Sequence, residues 1–142
     1  MFSALCAAVG SQALESANVV GYTTKTVEAG KFYLIAVQFN DASSSTKGSI
    51  DMNSLIKLSP EITAGTYAAS FAGASEIQVL NAAATGYDMY YYISDATDTN
   101  DDPVGYNCWS DMDGYILEGN QVEAGASFWI KGNAAGTMGF TK

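Results

Sequence analysis

Residues 76–94 read EIQVLNAAATGYDMYYYIS, two apolar runs on either side of a small polar loop. Each run, Glu76–Leu80 and Tyr87–Ser94, is short and rich in β-branched or aromatic residues, which is typical of strands. The loop Asn81–Gly86 has the composition of a turn, so we predict a β-hairpin. Side chains alternate along a strand, so the second run has two faces: Met89, Tyr91 and Ile93 on one, Tyr90 and Tyr92 on the other.

Further short runs of this kind flank the hairpin and are separated by Gly, Asn and Asp turns. They are Val19–Val27, Lys31–Phe39, Val104–Trp109, Tyr115–Glu118, Phe128–Lys131 and Thr137–Thr141. Lys31–Phe39 is largely apolar on both of its faces, which predicts a central strand covered on both sides. The residues expected to be mostly buried are Phe32, Leu34, Ile35, Val37, Ile77, Val79, Ile93, Phe128 and Ile130.

The number of short strands predicts an all-β fold, either an antiparallel β-sandwich or a partly closed barrel, with one short helix. The helix is expected within Ile50–Leu58 and to span no more than two turns. Asp51 can cap its start, and Pro60 ends it. The small residues of Ala64–Ala74 favour closely packed strands or a tight loop over a long helix.

The first residues, MFSALCAAVG over 1–10, form an uncharged apolar run of the length found in signal peptides. Ser11 and Ala13 are the small residues of a cleavage site after Ala13. No positive segment precedes the run, so we expect residues 1–13 to be a truncated signal peptide and residues 14–142 a single β-domain. A span needs about 20 apolar residues, so we expect no membrane span. The alternative is a buried N-terminal helix.

The charges are distributed unevenly along the chain. The net charge is −9, there is no histidine, and no basic residue lies between Leu58 and Ile130. Such an acidic chain repels nucleic acid and anionic lipid, so neither is an expected partner. Without histidine no Ser-His-Asp or Cys-His set can form, and the chain has no Gly-rich phosphate loop. We therefore predict that the protein is not an enzyme.

The two cysteines, Cys6 and Cys108, are divided by the predicted cleavage site. Cys108 would then be alone in the mature chain, so no intramolecular disulfide is expected. It lies between Asn107 and Trp109, and an apolar setting predicts a buried, unreactive thiol. An intermolecular disulfide is the alternative.

An acidic loop supplies the only cluster of residues suited to an ion. Its oxygen-bearing side chains are Asp95, Asp98, Asn100, Asp101 and Asp102. Calcium prefers six to eight oxygen ligands, so calcium is the one cofactor that this loop suggests. The spacing departs from an EF-hand, since Pro103 occupies the position that requires glycine. The alternative is a solvated loop in which Asp and Asn form turns.

Aromatic residues flank this loop and suggest a second kind of site. They are Tyr90, Tyr92, Tyr106 and Trp109. Flat rings beside carboxylates are what a carbohydrate-binding face uses, because rings pack on sugar C–H groups while carboxylates accept hydroxyl protons. The alternative is that these rings lie in the core or form cross-strand pairs.

Two similar stretches occur near the ends of the chain. Gly21-Tyr22 is followed by VEAG at 27–30 and FYLI at 32–35; Gly114-Tyr115 is followed by VEAG at 122–125 and FWI at 128–130. The repetition reflects either pseudo-symmetry between two sheets or the chemistry of one turn type.

The ends of the chain carry a resemblance. SANVVGY at 16–22, AGASFWIK at 124–131 and GTMGF at 136–140 resemble a loose group of short secreted bacterial surface proteins. In that group a turn ending in Gly precedes a Phe-Trp-Ile-Lys strand. The resemblance implies export and a β-fold, and it carries over neither a catalytic residue nor a ligand.

Together these features predict a secreted or cell-surface, non-enzymatic module with a structural or adhesive role. It would pack against copies of itself or an extracellular matrix, and exposed β-edges offer a route to self-assembly. The alternative is a carbohydrate-binding module that uses the tyrosines and Trp109 beside the acidic loop.

Overall fold

The computed structural model describes residues 22–36, 49–119, 121–123 and 125–141. Ten strands and one helix lie in these ranges. In chain order they are β1 (Tyr22–Val27), β2 (Phe32–Ala36), β3 (Ser49–Ile50), α1 (Met52–Leu55), β4 (Ile56–Leu58), β5 (Glu76–Leu80), β6 (Tyr87–Ile93), β7 (Cys108–Ser110), β8 (Val122–Glu123), β9 (Ser127–Lys131) and β10 (Gly136–Thr141).

The strands form an antiparallel sandwich of two sheets. A three-stranded sheet has the order β1-β10-β4, and a five-stranded sheet has the order β2-β9-β5-β6-β7. The strands β3 and β8 pair separately as a two-stranded ribbon. The predicted all-β class is confirmed, and of the two predicted architectures the sandwich is the one found, since the sheets do not close into a barrel.

A main core fills the space between the two sheets. Its buried members are Val27, Met52, Leu55, Ile56, Ile62, Ile77, Val79, Trp109, Leu117, Val122, Phe128, Ile130, Met138 and Phe140. Phe128 of the five-stranded sheet meets Phe140 of the three-stranded sheet with ring centroids 6.3 Å apart. Full burial of each large apolar side chain contributes about 1.5–3 kcal/mol, so this layer is the main source of stability.

The predicted hairpin is confirmed, and so is the division of its second strand. β5 and β6 pair antiparallel from Glu76 opposite Tyr91 to Leu80 opposite Tyr87. Tyr90 and Tyr92 pack against the main core. Tyr91 belongs to a second, smaller cluster whose buried members are Ile93, Ala96 and Cys108.

The burial expected for the strand Lys31–Phe39 is wrong in part. Phe32 is 42% exposed and Leu34 is 57% exposed. The physical reason is topological: β2 lies at the edge of the five-stranded sheet, and these two side chains point away from the main core. Ile35 is half-buried, and Val37 lies outside the described residues. The other expected core residues, Ile77, Val79, Ile93, Phe128 and Ile130, are buried as predicted.

The helix is shorter than its predicted segment. Asp51 caps α1 as expected, accepting the backbone N–H of Asn53 at 3.0 Å and the Ser54 hydroxyl at 2.6 Å. The chain leaves the helix after one turn, because Ile56 pairs with Phe140 as the first residue of β4. Pairing with β10 and burial of Ile56 outweigh the weak helix preference of this segment.

Of three other predicted segments, one adopts one of its two predicted alternatives and two differ from the structure. Ala64–Ala74 is a tight loop, with Ser70 and Phe71 at φ 53° and 62°. Of Val104–Trp109 only the last two residues are strand, and Tyr115–Glu118 contributes isolated bridges at Tyr115 and Ile116. The residues 19–21 and 37–39 of two predicted strands lie outside the described part of the chain.

The repeated VEAG segments end in glycines of the same conformation. Gly30 has φ 72° and Gly125 has φ 85°, values that glycine adopts without steric cost. The strands that follow, β2 and β9, are antiparallel neighbours in one sheet, with Leu34 opposite Trp129. The repeat therefore does not relate one sheet of the sandwich to the other, and a shared turn chemistry accounts for it.

Candidate functional site

The four aromatic residues predicted to bind a ligand do not form one exposed face. Tyr106 is 60% exposed, whereas Trp109 is only 1% exposed. Tyr92 and Trp109 pack together in the core with ring centroids 5.4 Å apart, and Tyr90 also packs inward. Trp109 therefore cannot form part of the predicted carbohydrate-binding face, because a buried indole cannot stack on a sugar ring.

The backbone of Trp109 is held by the residues that close the β7 edge of the five-stranded sheet. Its N–H donates to the Asn53 side-chain oxygen at 2.7 Å, and its carbonyl accepts from the Asn53 amide at 3.3 Å. The same carbonyl accepts the backbone N–H of Leu117 at 3.0 Å. This edge is thus already occupied by Asn53 and Leu117.

Three carboxylates of the acidic loop, those of Asp95, Asp98 and Asp101, accept hydrogen bonds. Asp95 accepts the backbone N–H groups of Tyr67 and Ala68 at 2.6 and 3.1 Å. Asp98 accepts those of Asn100 and Asp102, and these bonds hold the pKa of Asp98 below its usual value. Asp98 therefore stabilises a turn within the loop, whereas Asp95 holds the loop against the backbone of Tyr67 and Ala68.

Asp101 acts on a residue outside the loop. It accepts the Tyr115 hydroxyl at 2.9 Å, and this hydrogen bond raises the pKa of Tyr115. Within the described residues, which include all five calcium candidates, no three acidic, Cys or His side chains group closely enough to hold a metal ion. This geometry is what the turn-forming alternative expects, and calcium binding stays a prediction.

Cys108 is buried, as predicted. It belongs to the smaller cluster with Ile93 and Ala96 and is 2% exposed. Burial raises the pKa of the Cys108 thiol to about 11. At neutral pH the group is a neutral thiol that solvent reagents do not reach, so it is a poor nucleophile.

A different surface gathers five of the eight large apolar side chains that are exposed among the described residues. We call it the outer face: the side of the five-stranded sheet directed away from the main core. Its large exposed side chains are Phe32, Leu34, Leu80, Tyr87 and Trp129. The register makes them neighbours, since Leu34 lies opposite Trp129, Trp129 opposite Gln78, and Leu80 opposite Tyr87. Trp129 is 37% exposed, which leaves part of its ring accessible.

The polar groups of the outer face satisfy one another. Lys131 forms an ion pair with Glu76, and its ammonium lies 4.9 Å from the centroid of the Phe32 ring. Gln78 donates a side-chain hydrogen bond to the other oxygen of Glu76. Since Lys131 and Glu76 neutralise each other, this patch of an acidic protein carries no net charge.

Only part of the outer face is open. Phe71, from the loop 64–74, stacks on Tyr91 with centroids 4.1 Å apart and covers the β6–β7 side. The smaller cluster with Cys108 lies beneath this cover. The accessible part therefore comprises β2, β9, β5 and the first residues of β6.

A signal in the sequence does point to the outer face. In β9 the residues Ser127, Trp129 and Lys131 alternate with Phe128 and Ile130. Because side chains alternate, Trp129 must share a face with a serine and a lysine, which indicates a solvent-facing tryptophan. The aromatic character of Trp129 alone does not indicate which face of the five-stranded sheet the side chain occupies.

No helix within the described ranges is long and apolar enough to cross a bilayer. No protein-family model matches this chain, and neither the curated proteins nor the solved structures contain a significant match to it. The geometry of the described residues therefore carries the functional argument.

Proposed function

We propose that this protein is a non-enzymatic surface module, secreted or displayed at the cell surface, that works by adhesion through its outer face. The observation that carries the proposal is the grouping of Phe32, Leu34, Leu80, Tyr87 and Trp129 on one side of the five-stranded sheet. Soluble proteins that act alone rarely expose a large contiguous apolar patch, and such patches often mark binding surfaces.

The energetics of the patch favour contact with another surface. Removing apolar surface from water contributes about 25 cal/mol per Å². Glu76, Lys131 and Gln78 already bond to one another, so covering them costs less than burying unpaired polar groups would. An apolar partner surface, including another copy of the chain, therefore fits the outer face.

Carbohydrate binding is a second candidate, and one observation favours it. The partly exposed ring of Trp129 lies directly opposite Gln78, whose neighbours on the same face are Glu76 and Lys131. An aromatic platform beside amide and carboxylate groups is the arrangement expected of a sugar site. In this candidate function the aromatic platform for the glycan is Trp129, in place of the Trp109 predicted from the sequence.

A single comparison tests the proposal and separates the two candidates. We expect light scattering to show that the purified protein associates with itself, and Trp129→Ala to reduce this self-association. Tyr106 is an exposed aromatic residue outside the outer face, so Tyr106→Ala should leave the self-association unchanged. Saturable binding on a glycan array, lost in Trp129→Ala, would favour the second candidate. A protein that stays monomeric and binds no glycan or extracellular matrix would contradict both.

Export is tested at the N-terminus. The support for it is the apolar run and cleavage site of residues 1–13, which lie outside the described residues, together with the resemblance to secreted surface proteins. We expect mass spectrometry of the protein from its native source to find Leu14 as the first residue. An intact Met1 in a cytoplasmic fraction would contradict export.

A further inference from the structure

We propose that a second copy of this chain pairs with β2, antiparallel and across a two-fold axis, so that two five-stranded sheets join into one ten-stranded sheet. The inference rests on the proposed adhesive function. It identifies one binding partner as a second copy of the chain, and the contact between the copies as the edge strand β2. It predicts that the outer faces of the two copies become one continuous apolar surface.

The two edges of the five-stranded sheet differ. Within the described residues β2 pairs only with β9, and no described strand pairs with its other edge. The opposite edge, at β7, is occupied by Asn53 and Leu117. Of the two edges formed by the described strands, β2 is therefore the one at which a copy can extend this sheet, and a pair that uses the same edge of both copies closes as a dimer.

The strand β2 lacks the features that protect edge strands from pairing. Natural edges carry charges, proline or bulges that block the approach of another strand. The neighbouring edge strand β1 fits this pattern, since Thr23, Thr24, Lys25 and Thr26 are exposed along it. The five residues of β2 read FYLIA, with no charge and no proline.

The sequence of β2 is also suited to pairing with itself. Pairing centred on Leu34 uses all five described residues of the strand and places Leu34 opposite the Leu34 of the second copy. Phe32 then lies opposite Ala36, a large side chain against a small one. Directly opposed residues share a face, so the apolar side chains of both copies stay on the outer side.

The charges around β2 do not oppose the pairing of two copies. The described charges nearest β2 are Lys25, Lys31, Lys131, Glu28 and Glu76, which sum to about +1 on a chain of net charge −9. The acidic loop lies beyond β6 and β7, at the opposite edge of the sheet. In the ten-stranded sheet the two far edges are about 43 Å apart at 4.8 Å per strand. That distance is several times the screening length of about 8 Å at physiological salt, so the acidic loops do not repel one another strongly.

The expected dimer is weak, because a five-residue strand edge is a small interface. Sedimentation experiments from micromolar to about millimolar protein should show a reversible monomer–dimer equilibrium. Leu34→Glu and Leu34→Lys should each weaken dimerisation by on the order of tenfold, because like charges would then meet directly across the two-fold axis. An equimolar mixture of the two variants should dimerise again, since the introduced carboxylate of one chain then meets the introduced ammonium of the other.

Leu80→Glu is the matched control. Leu80 is 52% exposed against 57% for Leu34 and lies on the same outer face, but it is on β5, two strands from β2. Because Leu80 belongs to the outer face but not to the β2 edge, Leu80→Glu should weaken dimerisation far less than Leu34→Glu does. Circular dichroism and thermal unfolding of each variant should confirm that the sandwich is intact.

Three results would overturn the inference. A mixture that fails to restore the dimer would show that position 34 does not face itself. Equal weakening by Leu80→Glu and Leu34→Glu would mean that the copies pack face to face, and the adhesive function would stand. If the wild-type chain is monomeric at every concentration tested but binds matrix or glycan, only the dimer is refuted. If it is monomeric and binds neither matrix nor glycan, the proposed function is refuted as well.

Discussion

Replacing Trp109 with alanine is expected to lower the free energy of unfolding by about 3–5 kcal/mol. Trp109 is among the largest fully buried side chains and lies at the end of the main core, against Tyr92. Its removal leaves a cavity that the surrounding strands cannot fill, and β7 is fixed in place by the hydrogen bonds of Asn53. Urea unfolding at pH 7, followed by circular dichroism, measures the loss.

Trp109→Phe is the informative control for this prediction. The indole Nε1–H is buried without a hydrogen-bond partner in the described part of the chain. Phenylalanine keeps an aromatic ring on Tyr92 and removes that unpaired donor, whose burial costs about 1–3 kcal/mol. The loss in Trp109→Phe should therefore be less than half of that in Trp109→Ala. An alanine variant within about 0.5 kcal/mol of the wild type, the usual range of surface substitutions, would show that the ring is not part of the core.

The hairpin β5–β6 was predictable because its signals are local. Strand alternation in Glu76–Leu80 and in residues 87–94, with a polar turn between them, is readable without knowledge of the rest of the chain. The N-cap at Asp51 is local in the same way. The end of α1 is not, because the decisive event is the pairing of Ile56 with Phe140, a residue far along the chain.

The error at β2 shows what alternation leaves open. Alternation states which residues share a face, and Phe32 and Leu34 do share one. It does not state whether that face is covered, because cover depends on the position of the strand in the sheet. β2 lies at an edge and its outward side chains meet solvent, so an apolar sequence on both faces did not mean a central strand.

The candidate site was hidden for a related reason. Tyr106 and Trp109 are three residues apart, yet one is exposed and the other buried. Nearness to the acidic loop in sequence was therefore a poor guide to a shared surface. The outer face draws on β2, β5, β6 and β9, and only the register of these strands brings Leu34, Gln78 and Trp129 into one row. No single stretch of sequence contains that information.

Replacing Ile130 with alanine is expected to cost about 2–5 kcal/mol, because the side chain is fully buried at the centre of the five-stranded sheet. It lies opposite Tyr33 on β2 and Ile77 on β5, so its loss opens a gap between three strands. The adjacent Trp129 provides the matched control: it occupies the same strand but the outer face, and Trp129→Ala should cost only about 1 kcal/mol despite removing a larger side chain. Urea unfolding of both variants measures the difference. If Trp129→Ala lowered the free energy of unfolding more than Ile130→Ala did, Trp129 would lie on the inner face of β9 and Ile130 on the outer face. The adhesive surface proposed for this protein would then be wrong.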